Sequence, residues 1–177
     1  MSRGSLARLV LVVATAVVLQ QTLVLDLDVG GAHPDLMILF PIAAGLVGGP
    51  NRGVTVGFAT GLVADLFLPT PFGLSALVAC LVGFAVGLAA LPLDRSAWWL
   101  PPAAGLVGSV LYELVYAALG AVLGQPQMVH ADLARIVAMV AVPNALLALP
   151  ATRLMAWALP ESSTEGVPGS TTPGPSW

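Results

Sequence analysis

Six apolar runs, of which the second is short and interrupted by Pro41, constrain the fold of this chain more than any other feature. Short segments rich in Pro, Gly and Asn separate them. A helix of about 20 apolar residues crosses a bilayer, and these runs are too uniformly apolar for the alternating strands of a membrane barrel. The sequence therefore predicts an all-α integral membrane protein. Its six transmembrane helices are predicted at 6–25, 36–47, 53–68, 74–91, 98–123 and 136–159.

Composition excludes several other classes of protein. Of the 177 residues, 58% are hydrophobic and 8% are charged, and the mean hydropathy is +0.94. Too few polar residues remain to cover the surface of a soluble domain. The net charge of -3, without a basic run, argues against nucleic-acid binding. Cys80 is the single cysteine, so an intrachain disulfide is excluded.

The arginines predict an orientation. If all six runs cross the membrane, every arginine except Arg135 lies on one side, and the positive-inside rule makes that side cytoplasmic. These arginines are Arg3, Arg8, Arg52, Arg95 and Arg153. Trp98, Trp99 and Trp157 fall near the same interface. We therefore predict a membrane domain over residues 1–159 with both termini cytoplasmic, followed by a disordered cytoplasmic tail, 160–177, rich in Pro, Gly, Ser and Thr.

A stripe of small residues marks the third run. Gly53, Gly57, Gly61 and Asp65 recur at four-residue spacing, so on an α-helix they share one face. Three residues without a Cβ let another helix approach closely. We interpret the three glycines as a packing surface for the helix of a partner protein.

Two acids inside the apolar runs are candidate functional residues, Asp65 and Glu113. Asp65 lies roughly 18 Å along its helix, in the outer half of the bilayer, where an unpaired carboxylate costs a few kcal/mol. The alternative is that Asp65 hydrogen-bonds the backbone of the following turn, 69–73. Glu113 ends a second small-residue stripe, after Gly105 and Ser109. Arg135 is either a cation for one of these acids or an ordinary interfacial arginine.

No arrangement of residues indicates catalysis. His33 and His130 fall in predicted outside loops, His33 together with Asp26, Asp28 and Asp35, and a solvated loop competes there with a metal site. No Ser or Thr in the membrane has a neighbouring His, and no phosphate loop or cofactor fingerprint occurs. We predict a protein that is not an enzyme and uses no cofactor and no metal.

The region 34–87 resembles the rod shape-determining protein MreD family. A Pro-Asp pair, Pro34-Asp35, opens the second run, and the glycine-rich helix then ends in Asp65. A short turn with Pro71 and Gly73 follows, and Gly83-Phe84 lies in the next run. The length of the chain and its six predicted spans also suit this family.

The resemblance implies a multi-pass protein of the bacterial plasma membrane that belongs to the cell-elongation machinery. Its expected partners are an MreC-like bitopic protein and, directly or through it, the RodA glycosyltransferase and a penicillin-binding transpeptidase. Membrane lipid surrounds such a protein. The expected function is a non-enzymatic scaffold that supports lateral peptidoglycan synthesis and regulates cell shape.

The resemblance also implies an alternative. MreD proteins are distantly similar to the substrate-binding subunits of energy-coupling-factor transporters, which are small six-helix membrane proteins that hold a vitamin in an outward-facing cavity. Asp65 and Glu113 are placed where such a subunit would bind its ligand. Against this, Tyr112, Tyr116 and Phe72 are almost the only residues available to form the aromatic walls of a pocket.

Overall fold

Six α-helices make up the secondary structure of the part of the chain that the computed structural model describes, which is residues 3–20, 35–68, 70–94, 97–124 and 133–159. They are α1 Arg3–Leu19, α2 Leu36–Gly48, α3 Pro50–Asp65, α4 Leu74–Ala89, α5 Leu100–Val122 and α6 Leu133–Ala158. Each helix coincides with one apolar run, so the predicted all-α, six-helix architecture is confirmed. Asp26, Asp28, His33, Arg95, His130 and the tail lie outside the described residues, as do the side chains of Arg3 and Arg135.

The helices differ in length. Among the described residues, Leu100–Val122 and Val137–Ala158 are long and apolar enough to cross a membrane. The apolar segments Ala7–Val18, Leu36–Gly48 and Leu74–Ala89 are shorter. With 13 residues, α2 is about 20 Å long, which is less than the ~30 Å hydrocarbon core of a bilayer.

The short helix α2 occupies the centre of the bundle. It contacts all five other helices, and its residues 37–46 are all buried. A helix that is apolar on every side is either enclosed by other elements or faces lipid, and the other helices enclose α2. Asp35 caps its N-terminus by accepting a hydrogen bond from the backbone N–H of Met37 at 2.8 Å.

Gly49 and Pro50 connect α2 to α3 without an intervening loop. Gly49 has φ 80° and ψ -178°, a backbone conformation essentially reserved for glycine. Its N–H donates to the carbonyl oxygen of Gly45 at 2.9 Å and ends α2. Pro50 then begins α3, where the missing N–H of proline costs nothing.

Successive helices run in opposite directions, so the same end of the bundle carries the starts of α1, α3 and α5 and the ends of α2, α4 and α6. Leu46, Ala90 and Leu100 form a buried cluster there, and Arg52 contacts Leu159. Trp98, Trp99 and Trp157 lie at this end and are exposed. We call it the arginine end because Arg8, Arg52 and Arg153 lie near it.

Candidate functional site

The glycine stripe of α3 packs against α4 of the same chain. A Cβ placed on Gly57 would lie 2.5 Å from the carbonyl oxygen of Ala79. Cβ atoms on Gly53 and Gly61 would overlap the backbone of Gly83 and Ala76 in the same way. The two backbones are therefore so close along the whole stripe that no side chain fits between them.

This packing corrects the sequence-based interpretation of Gly53, Gly57 and Gly61. The stripe does receive a helix, as its spacing indicates, but that helix is α4. A partner protein's helix has no room on this face, because backbone atoms of residues 76–83 already occupy it.

Asp65 caps the helix that fills the stripe. Its carboxylate accepts hydrogen bonds from the backbone N–H groups of Gly73 at 2.9 Å, Ser75 at 3.0 Å and Ala76 at 3.3 Å. The side chain is 4% exposed. The first N–H groups of a helix lack partners within the helix, and a carboxylate also interacts favourably with the positive end of the helix dipole. The hydrogen bonds thus join the last residue of α3 to the first turn of α4.

The turn between α3 and α4 supplies the geometry for this cap. Gly73 has φ 95°, in the left-handed region, and the carbonyl oxygen of Pro71 accepts a hydrogen bond from Leu74 at 3.1 Å. The N–H groups of Gly73, Ser75 and Ala76 point toward Asp65 from this turn. The motif residues Pro71 and Gly73 therefore position the start of α4.

Glu113 is half-buried on α5. Its charge interacts with that of Asp35, the residue that precedes α2. Burial raises the pKa of the Asp35 carboxyl above its ordinary value, although hydrogen bonds from the backbone of Met37 and Ile38 oppose the shift. Asp35 and Glu113 therefore interact electrostatically, a relation that spacing along the sequence does not reveal.

Two tyrosines flank Glu113. The rings of Tyr112 and Tyr116 stack with their centroids 5.9 Å apart, and the hydroxyl of Tyr116 donates to the Oγ1 of Thr70 at 3.0 Å. That hydrogen bond ties α5 to the turn that precedes α4. Within the described residues, no group of three or more His, Cys, Asp or Glu side chains is placed to hold a metal ion.

The second small-residue stripe packs against α6. Gly105 faces Ala148, and the Oγ of Ser109 accepts a hydrogen bond from the Nδ2 of Asn144 at 3.0 Å. Both polar side chains are fully buried. Sequence reasoning missed Asn144, although a single amide in an apolar helix is a recognisable sign of an interhelical hydrogen bond.

Two arginines contact the C-terminal end of α6. Arg52 donates from Nη1 to the carbonyl oxygen of Leu159 at 3.0 Å, and Arg8 donates to that of Trp157 at 3.4 Å. The final carbonyl groups of a helix have no partners within it and carry a partial negative charge. The guanidinium groups of α1 and α3 therefore stabilise this end of α6.

Two open cavities flank α1, and a third lies beside Asp35. One of about 520 Å³ lies between α1 and α6, and one of about 540 Å³ lies between α1 and α3. Both have almost entirely apolar walls. A third, more polar cavity of about 220 Å³ is lined by residues that include Asp35 and Gln20.

Comparison of the sequence with models of known protein families identifies the family of this chain. The model of the rod shape-determining protein MreD matches residues 3–156. The chain belongs to the MreD family. No curated protein and no solved structure matches it.

The MreD match covers more of the chain than the motifs in 34–87 do. It includes α1 and α5 completely and all but the last residues of α6. The resemblance inferred from the sequence is confirmed, and a role in determining rod shape follows from the family. This family is described by its effect on cell shape and not by a reaction.

Proposed function

We propose that this MreD family member is a non-enzymatic, multi-pass scaffold of the bacterial plasma membrane within the cell-elongation complex. It binds an MreC-like bitopic protein and, directly or through it, the RodA glycosyltransferase and a penicillin-binding transpeptidase. In this way it supports lateral peptidoglycan synthesis. The observation that carries the proposal is the family match over residues 3–156, which spans nearly the whole six-helix bundle.

The outer surface of the bundle supports a membrane location. Large apolar side chains face outward on several helices, among them Val10, Val107 and Leu146, which are 59%, 62% and 74% exposed. Water would make such a surface prone to aggregation, whereas lipid tails solvate it. The short helix α2 is enclosed by the other helices and need not match the bilayer thickness by itself.

The arginine end supports cytoplasmic termini. Arg8, Arg52 and Arg153 lie toward that end, together with three tryptophans. Positively charged residues favour the cytoplasmic side, and tryptophans favour the membrane interface. Placing this end in the cytoplasm puts the Asp65–Gly73 cap, Asp35 and Glu113 toward the outer side.

The site geometry favours a scaffold over a vitamin-binding subunit. Ligand pockets usually have volumes of about 300–1,000 Å³ and several convergent polar groups. The polar cavity beside Asp35 measures only about 220 Å³, and the larger cavities, of about 520 and 540 Å³, have almost entirely apolar walls. Both oxygens of Asp65 accept hydrogen bonds from the backbone of α4. A ligand at Asp65 would have to displace the cap of a helix.

Depletion of the chain in growing cells tests the proposal. We expect rods to become round, the MreC-like protein to leave its sites along the lateral wall, and incorporation of labelled cell-wall precursor there to fall. Re-expression of the wild-type chain restores all three, which excludes effects of the depletion procedure. Rod-shaped cells with normal lateral incorporation and an unchanged MreC-like protein would contradict the proposal.

A further inference from the structure

The cavity between α1 and α6 is a groove with an apolar floor and walls. Its floor includes Leu36 and Phe40 of α2, and its walls include Leu11 of α1 and Leu154 of α6. Thr15 is the polar exception, but its hydroxyl donates to the carbonyl oxygen of Leu11 at 2.8 Å. The groove thus offers a hydrocarbon-like surface of about 520 Å³, within the size range of small-molecule sites.

A cation lies at the end of this groove. Arg8 is exposed and precedes Leu11 by one helical turn, on the same face of α1. Its guanidinium lies 5.1 Å from the ring of Trp157, a residue that lines the groove. A guanidinium has five N–H donors in a planar fork that matches phosphate oxygens. Arg153, also exposed, lies one turn before Trp157 on α6.

We propose that this groove binds an anionic phospholipid, with an acyl chain along the apolar walls and the lipid phosphate on Arg8. The inference rests on the proposed membrane location. The shape of the groove matches a lipid molecule. Its apolar walls suit an acyl chain, and Arg8, beside the interfacial Trp157, lies where the phosphate would be. Arg8 also donates to the carbonyl oxygen of Trp157 at 3.4 Å, and a guanidinium with five N–H donors has further donors for a phosphate.

Net charge distinguishes anionic from zwitterionic lipids. Both classes contain a phosphate, but only an anionic lipid keeps a net negative charge to offset the positive charge of Arg8. An arginine near an anionic membrane surface contributes about 1 kcal/mol, which corresponds to about a fivefold preference.

Quenching of Trp157 fluorescence tests the proposal. The full chain, with Trp98, Trp99 and Trp177 each replaced by Phe, is placed in nanodiscs that contain increasing fractions of brominated phosphatidylglycerol or brominated phosphatidylcholine. We expect phosphatidylglycerol to reach half-maximal quenching at a mole fraction about fivefold lower than that required for phosphatidylcholine. Arg8→Gln is expected to remove this preference.

Two threonine variants separate the groove from general lipid contact. Thr15→Phe fills the groove and is expected to weaken quenching by both lipids. Thr55→Phe is the matched control, because Thr55 is also exposed and donates to the carbonyl four residues earlier, at 2.9 Å, but on α3. We expect it to leave quenching unchanged.

The outcomes that overturn the proposal are distinct. Equal quenching by both lipids would contradict the choice of an anionic lipid. Weak quenching by both lipids in well-folded, inserted protein would contradict a lipid in the groove and favour a protein helix there. Failure of the chain to enter nanodiscs would overturn the membrane location itself, and the proposal with it.

Discussion

At the scale of single residues, Asp65 shows how one carboxylate can fix the relation between two helices. Its oxygens accept three backbone hydrogen bonds from the start of α4. The cost of removing such a group is mainly that of leaving buried N–H donors without partners. The same acid is therefore structural in this fold, whatever additional role it has in the cell.

Asp65→Ala is expected to destabilise the protein by about 2 kcal/mol, the upper range for loss of a helix cap. Asp65→Asn keeps one oxygen acceptor in nearly the same shape and is expected to cost less. Thermal unfolding of the two variants in the same detergent measures the difference. Equal unfolding midpoints for wild type and Asp65→Ala would contradict the capping role.

Gly73 allows a second prediction at this scale. A residue with a Cβ in the left-handed region costs roughly 1–2 kcal/mol, and Gly73 has φ 95°. Gly73→Ala should therefore lower the unfolding midpoint. Gly73→Asn should lower it less, because asparagine tolerates this conformation better than alanine. If alanine and asparagine have the same effect, backbone conformation is not the reason for glycine at this position.

At the scale of elements, α3 and α4 form the most closely packed pair in the bundle. Their backbones meet at Gly53, Gly57 and Gly61, and the Asp65 cap fixes the end of the same contact. Such an interface has no flexible side chain that can move aside. A larger residue in the stripe must therefore separate the helices.

Gly57→Leu is expected to destabilise the fold by about 3 kcal/mol or more, since overpacking alone typically costs 1–3 kcal/mol. Ala59→Leu is the matched control, because Ala59 is exposed on the same helix. Thermal unfolding and yield of folded protein in detergent are the measurements. A Gly57→Leu variant as stable as Ala59→Leu would show that α4 does not fill the stripe.

The sequence was informative about where helices lie and much less so about which helices meet. Apolar runs and Pro-Gly turns predicted all six elements because they are local signals. Four-residue spacing marked the correct face of α3, but spacing cannot distinguish α4 from an external helix. The contacts of Arg8 and Arg52 with the end of α6 join residues more than 100 positions apart, so no local pattern indicates them.

At the scale of the whole molecule, the alternating helix directions predict which residues lie on each side of the membrane. Asn51 lies at the arginine end and Phe72 at the opposite end, and both are exposed. In a Cys80→Ala background, Phe72→Cys should react with a membrane-impermeant maleimide in cells whose outer envelope has been opened. Asn51→Cys should react only after the plasma membrane is permeabilised. The reverse pattern would place the termini outside, and labelling of both sites would contradict a spanning bundle.

Affinity purification of the tagged full-length chain in mild detergent, with mass spectrometry of proteins and of small molecules, tests the scaffold proposal most directly. We expect an MreC-like protein, a RodA-type glycosyltransferase and a penicillin-binding transpeptidase to co-purify, without a stoichiometric metabolite. Recovery of a bound vitamin with an ATPase-linked membrane partner, and without the MreC-like protein, would contradict the scaffold and establish a transport subunit.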